Sequence, residues 1–391
     1  MFIDRLVGMV KEKNNPAIIG LDPLLEYVPQ SIRDRAFNKH GVSAKAAAEA
    51  IFYFNKGIID NTSDIAAAVK PQLAYYEMYG YWGVKAFYMT VAAAKQKGMI
   101  IIADGKRNDI GSTAAAYSNA YLGETKFLEG GAERAERAFD ADALTVNPYL
   151  GIDGVQPFIR DCETHGKGIF VLVKTSNKSS GQIQDLVVQN PGGQAVQAHE
   201  TSHAGQAHEM SQAGQAPHAH ETSQTGQAPQ VHETSHAGQA VQAHETSQAG
   251  QAPQAHETSQ TGKEPQYARL YEVVAGLVDE WGHGLIGKSG YSSVGAVVGA
   301  TYPEQARGLR KMMKAAYFLV PGYGAQGGTG EDAAASFNED GLGAVVSASR
   351  SIMCAWRHER WDGKYRHEDF GQAAREELIR MRNELNLAIG R

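Results

Sequence analysis

Asp104, Lys106 and Asp109 follow the apolar run 99–103, of composition Met-Ile-Ile-Ile-Ala, within six residues of one another. In an extended segment residues two apart share a face, so Asp104 and Lys106 are expected to point the same way, with Asp109 reached after the chain has turned. A lysine between two carboxylates is held as its ammonium. Such a group can stabilise negative charge that develops beside it. It is unsuited to a Schiff base, which needs the neutral amine. A surface cluster of ion pairs, with Asp109 or Ser112 capping the next helix, would account for each residue singly. It does not account for an ionic group ending a run as apolar as 99–103.

Runs of the same kind recur at 17–21, 65–69, 99–103, 142–146, 169–173, 294–298, 316–320 and 342–346. They are continuous rather than alternating, as strands buried on both faces of a parallel sheet read. Stretches of helical period separate them: Ala47, Ile51, Phe54 and Ile58; Val84, Phe87, Val91 and Ala94; Leu270, Val274, Leu277 and Trp281. Strand then helix, eight times over, predicts an α/β fold closed as a (β/α)8 TIM barrel. Polar groups stand at the ends of the runs: Asp22, Lys70, Asn147, Lys174 to Asn177, Pro321 to Gln326, and Ser349 with Arg350. Together they would line one rim, the end of a barrel where catalytic residues gather. The glycine-rich stretch 322–330 after the seventh run offers backbone N–H groups and a helix N-terminus to an anion, and Arg350 after the eighth could clamp it.

One segment departs from this pattern. From about residue 193 to 261, variants of GQAPQAHETSQT recur six times, one copy shortened, and carry nine of the fourteen histidines. With almost no large apolar side chains the repeats cannot bury enough surface to offset the entropy of ordering them, so a disordered low-complexity insertion after the fifth strand is expected. The expected division is a first part of the barrel at 1–190, the insertion at 191–264 and the rest of the barrel at 265–391. A metal-binding histidine tract is the functional alternative; repeat expansion copying one histidine with its neighbours is the simpler account.

Composition narrows the function further. A net charge of −6 and a pI near 6.2 provide no cationic field for nucleic acid or an anionic membrane. Two distant cysteines, Cys162 and Cys354, no metal-type spacing, no signal-peptide layout at 1–14 and no apolar window of spanning length lead to the expectation of a reduced, cytoplasmic protein.

Several motifs occur in one order: Gly20-Leu21-Asp22-Pro23, Val69-Lys70-Pro71, Asp104-x-Lys106-x-x-Asp109-Ile110, Thr145-Val146-Asn147-Pro148-Tyr149, Gly299 to Glu304, Val320 to Gly328 and Ser349-Arg350. In that order they resemble the orotidine 5′-phosphate decarboxylases, in their longer bacterial form, over about residues 1–190 and 265–391; the repeats have no counterpart in the pattern. The resemblance implies decarboxylation of orotidine 5′-phosphate to UMP, with Asp104 and Lys106 at the reacting carbon and Asp22 and Lys70 on the ribose, Lys70 also joined to the catalytic carboxylates. It implies Gln326 and Arg350 on the phosphate, Ser176 (or its neighbour Thr175) on the pyrimidine amide edge, and Asn147 among the substrate contacts. Asp109 and Thr113 would be contributed across the interface of a homodimer, and no metal or organic cofactor would be needed. Two other readings remain at this point: a metal-dependent sugar-phosphate lyase or synthase of the same superfamily, and an inactive barrel serving as a scaffold for the repeats.

Overall fold

The computed structural model describes residues 1–129, 132–190, 266–324 and 326–391. Eight parallel strands close into a barrel: β1 (Ala17–Leu21), β2 (Ala68–Pro71), β3 (Ile100–Arg107), β4 (Ala143–Val146), β5 (Gly168–Lys174), β6 (Ser292–Val298), β7 (Ala316–Val320) and β8 (Ala344–Ala348). Each pairs with its neighbours in sequence, and β8 pairs with β1. β2 and β8 begin later than their apolar runs. Ile65 and Ala66 still donate to the Thr62 carbonyl at the end of the helix Ala44–Thr62, and Gly343, with φ of +92°, turns the chain just before β8.

Although the apolar run of each strand is buried on both faces, the side chains alternate between two cores. Ile19, Val69, Ile101, Leu144 and Val171 face outward and pack under the helices. Ile18, Ala68, Ile102, Ala143 and Phe170 fill the barrel interior. The interior is closed from one end by the helix Phe2–Glu12, whose Phe2, Ile3, Leu6, Val7 and Val10 are buried with it, Phe2 meeting Phe170 edge to face at 6.0 Å. Residues 1–14, read in sequence only for targeting, are thus largely an amphipathic plug.

The helix Leu270–Gly282 buries Tyr271, Ala275, Val278 and Gly282, a face rotated by one residue from the apolar series expected to do so. The small residues set the approach: a Cβ on Gly282 would stand 2.8 Å from Ser292 Oγ. Val274 and Trp281 pack on the flank instead. Val84 is likewise exposed, and Gly83 and Ala86 are turned to the core beside Phe87.

Outside the barrel lie two short antiparallel ladders, Thr125–Glu129 with Ala132–Glu136 and Val187–Asn190 with Gln266–Arg269. The second leaves Asn190 opposite Gln266, so the chain departs and returns side by side after β5. The repeats, with the disorder expected of them, lie outside the described residues.

Candidate active site

Following the inward-facing alternation toward the C-terminal ends of the strands leads directly to the charged residues. Two steps beyond Ile102 stands Asp104, two beyond Ala68 Lys70, two beyond Ala143 Thr145, and four beyond Ile18 Asp22. The top layer of the barrel interior is therefore polar where the layers beneath are apolar. Above it opens a cavity of about 680 Å3, lined by Asp22, Lys70, Gln72, Asp104, Lys106, Thr145, Thr175, Ser176, Gln326 and Arg350 among others.

Asp104 is the centre of this layer. Its Oδ2 accepts from Lys70 Nζ at 2.7 Å and Gln72 Nε2 at 3.0 Å, and its Oδ1 from Lys106 Nζ at 2.6 Å and Thr145 Oγ1 at 2.9 Å. Four donors saturate the carboxylate. Burial raises its pKa, but Lys70 and Lys106 outweigh burial and hold it well below the ordinary carboxylate range. Burial lowers the pKa of Lys70, yet Asp104 and Asp22 more than compensate and raise it. Both groups are thus ionised at neutral pH. The Lys70 ammonium lies 4.0 Å from Asp22 Oδ1, a buried oxygen without a hydrogen-bond partner and so available to a ligand hydroxyl.

Asp104 and Lys106 meet, but not by the simple alternation expected. The pairing of β3 with β4 shifts register between Ala103 and Arg107, and Lys106 takes a left-handed conformation with φ of +46°. A lysine gains nothing from that conformation, and such strain persists where the surroundings impose it. The imposing contact is Thr145, whose hydroxyl accepts from Lys106 N at 2.9 Å while donating to Asp104. The bulge aims the ammonium back at Asp104. Gln72 is absent from the sequence expectations and Thr145 enters them only as the first residue of a motif, although the period of two from Lys70 and Ala143 marks both positions.

Other expected residues are placed differently. Asp109 makes no ion pair with Lys106 in this chain; among the described residues its carboxylate accepts only from Ile110 N, at 2.8 Å, and it lies outside the cavity, as does the exposed Thr113. Asn147 is not part of the lining: its Oδ1 accepts from Tyr149 N at 3.1 Å and closes the turn after β4. Ser176 and Thr175 both line the cavity, but the Thr175 hydroxyl is bonded to Gln184 and Asn177 at 2.8 and 2.7 Å, which leaves Ser176 the freer donor. Gly299 makes room for it, since a Cβ there would stand 2.8 Å from Ser176 Cα.

The helix N-terminus after β7 does not await an anion. In the helix Gly330–Ala334, Gly330 N donates to Glu384 Oε1 at 3.0 Å and Thr329 N to Asp332 Oδ2 at 2.9 Å, so carboxylates of the chain occupy it. The cationic group at this end of the cavity is Arg350, with Gln326 beside Gly322 facing it from the lining.

A closed (β/α)8 barrel with an ionised, partly unsatisfied cavity at the C-terminal ends of its strands has the architecture of a barrel enzyme. Comparison with known proteins narrows this. The family model described as orotidine 5′-phosphate decarboxylase / HUMPS matches residues 53–264. An orotidine 5′-phosphate decarboxylase of Caldicellulosiruptor bescii is 34% identical over 388 residues, 99% of each chain, and that of Rhodopirellula baltica 34% identical over 384 residues, 98% of each. The solved structure of an orotidine-monophosphate decarboxylase from Toxoplasma gondii matches 98% of this chain and 96% of its own with a TM-score of 0.61 at 25% identity. The chain belongs to the orotidine 5′-phosphate decarboxylase / HUMPS family.

Proposed function

We propose that this protein decarboxylates orotidine 5′-phosphate to UMP, with Lys106 as the proton donor and without a metal or organic cofactor. The observation that carries the reading is the ion-paired row of Asp22, Lys70, Asp104 and Lys106 across the floor of the cavity. Two cations and two anions leave that floor neutral before substrate binds. The substrate carboxylate adds a negative charge beside Asp104, a like-charge contact relieved when the C6–carboxylate bond breaks and neutral CO2 departs. The electron pair remains on C6, where the adjacent Lys106 ammonium stabilises it and transfers its proton. Solvent then reprotonates the amine. A fixed cation close to the carbanion supplies what the reaction lacks, since the ring delocalises the charge poorly.

Around this centre, Asp22 and Lys70 hold the ribose hydroxyls, Ser176 addresses the amide edge of the pyrimidine, and Gln326 and Arg350 take the phosphate. The chemistry of the donor set favours this reading over the metal-dependent alternative: Asp104, the best-placed carboxylate, has all its acceptor sites committed to lysines, glutamine and threonine. Among the described residues no group of three or more His, Cys, Asp or Glu side chains is arranged to hold a metal ion.

The functional unit we propose is a homodimer with shared sites. Ile110 and Tyr117 are exposed apolar groups on the segment that carries Asp109 and Thr113, and Tyr149, Leu150 and Ile152 are exposed on the segment after β4. These segments adjoin, for a Cβ on Gly154 would stand 3.2 Å from both the Asp109 carbonyl and Leu150 Cβ. Such a surface beside two polar residues excluded from their own cavity fits a self-complementary contact that would deliver them to the neighbouring one. Its place is the cytoplasm, where the two free, buried cysteines are at home. No helix among the described residues is long and apolar enough to cross a membrane.

Two experiments test the periphery of this reading. Gln326→Ala and Arg350→Ala should each raise KM for orotidine 5′-phosphate at least tenfold, equivalent to about 1.4 kcal/mol or more; unchanged values would remove both residues from the phosphate site. Joining Asn190 to Gln266 through an Asn-Gly turn, which fits two antiparallel strands, should keep kcat/KM within about threefold, roughly 0.65 kcal/mol in barrier. A hundredfold loss in a folded dimer would bring the repeats into the site.

A further inference from the structure

The segment that carries Gln326 follows β7 and rejoins helix at Gly330, and one side chain meets both Tyr323 near its start and Gly330 at its end. Glu384, on the C-terminal helix Phe370–Ala388, accepts from Tyr323 OH through Oε2 at 2.8 Å and from Gly330 N through Oε1 at 3.0 Å. Glu384 is held in its turn. Arg380 pairs with its Oε2 at 2.6 Å and also reaches Tyr323 OH at 3.3 Å. Arg380 is fixed from behind by Glu377 at 2.7 and 3.0 Å, and Glu377, almost fully buried, accepts from Arg360 and from Trp361 Nε1, each at 3.2 Å. Within the segment, Gly324 N donates to Gly328 O at 2.8 Å and Gly328 N to Gly322 O at 3.1 Å, so the two roots are also tied to each other. A Cβ on Gly330 would stand 3.0 Å from Glu384 Cγ, which makes glycine part of the fit.

We infer that Glu384 is a positioning residue for phosphate recognition: it pins both roots of the segment after β7 and so fixes where Gln326 stands relative to Arg350. It touches no substrate. Its effect is on the cost of organising the grip, because a segment anchored at both ends has less freedom to lose when the ligand orders it. The inference rests on the reading of Gln326 and Arg350 as phosphate ligands.

The full-length enzyme with Glu384→Ala should show a KM for orotidine 5′-phosphate raised at least tenfold, with kcat within threefold of wild type. Its inhibition constant for UMP, which carries the same phosphate, should rise in step. Glu384→Gln, which keeps a carbonyl acceptor for one root, should recover much of the loss. A merely structural role gives the opposite pattern, since a smaller folded fraction lowers apparent kcat and leaves KM alone. If the alanine variant does not fold, Tyr323→Phe, which releases one root only, is expected to raise KM about threefold, and an unchanged value there overturns the inference. Gln326→Ala separates the two layers of the argument. If it raises KM and Glu384→Ala leaves KM within twofold, Glu384 has no positioning role; if Gln326→Ala itself leaves KM unchanged, the phosphate reading fails and the role of Glu384 with it.

Discussion

Lys106→Ala is expected to abolish measurable decarboxylation while the barrel stays folded. The side chain is 44% exposed at the cavity and contributes little to either core, so its loss should leave the thermal transition close to that of the wild type. Chemically the loss is severe. The alanine variant has no ammonium beside the developing carbanion and no donor for C6, and removes one of the two cations that offset Asp104. The remaining floor, with Asp22 and Asp104 against Lys70 alone, is net negative and would oppose entry of a substrate carboxylate. Single electrostatic stabilisers in preorganised sites are worth about 10²–10³ in rate, and here the proton donor is lost as well. Activity within tenfold of wild type, measured on protein whose circular dichroism is unchanged, would remove Lys106 from the mechanism.

Mixing two inactive variants should restore activity, and that result would locate Asp109. In the single chain its carboxylate lies outside the cavity and pairs with no lysine among the described residues, and in the homodimer proposed above Asp109 acts in another copy's site. In a dimer formed from Lys106→Ala and Asp109→Ala chains, one site then lacks both residues and the other keeps both. Random exchange of equal amounts makes half the dimers mixed, so about one quarter of wild-type activity should return. If Asp109 served its own chain, every site of the mixed dimer would lack one of the pair, and no activity would return although exchange had occurred.

The barrel was legible because its strands are buried on both faces, so that each appears as an unbroken apolar run with a polar residue at its end. Lys70, Asp104 and Lys106 were legible for the same reason: charge at the end of such a run is costly unless it is paired. What the sequence did not disclose is geometry set by distant partners. The left-handed conformation of Lys106 depends on a threonine 39 residues away. The glycines before Gly330 looked open to an anion, but Glu384, 54 residues further on, already fills that helix end. The helix Leu270–Gly282 turned a face of Ala275 and Gly282 inward because close approach to the barrel outweighed side-chain size. Asn147 looked like a rim ligand and proved to close a turn, a choice that an Asn-Pro pair leaves undecided.

The most direct test of the account is turnover of orotidine 5′-phosphate by the intact protein in D2O after exhaustive dialysis against a chelator, with the product examined by NMR. The account predicts conversion to UMP and CO2 at a rate unaffected by the chelator, with one deuterium at C6 of the product. Absence of turnover, or turnover that disappears on chelation and returns with a divalent cation, would contradict it.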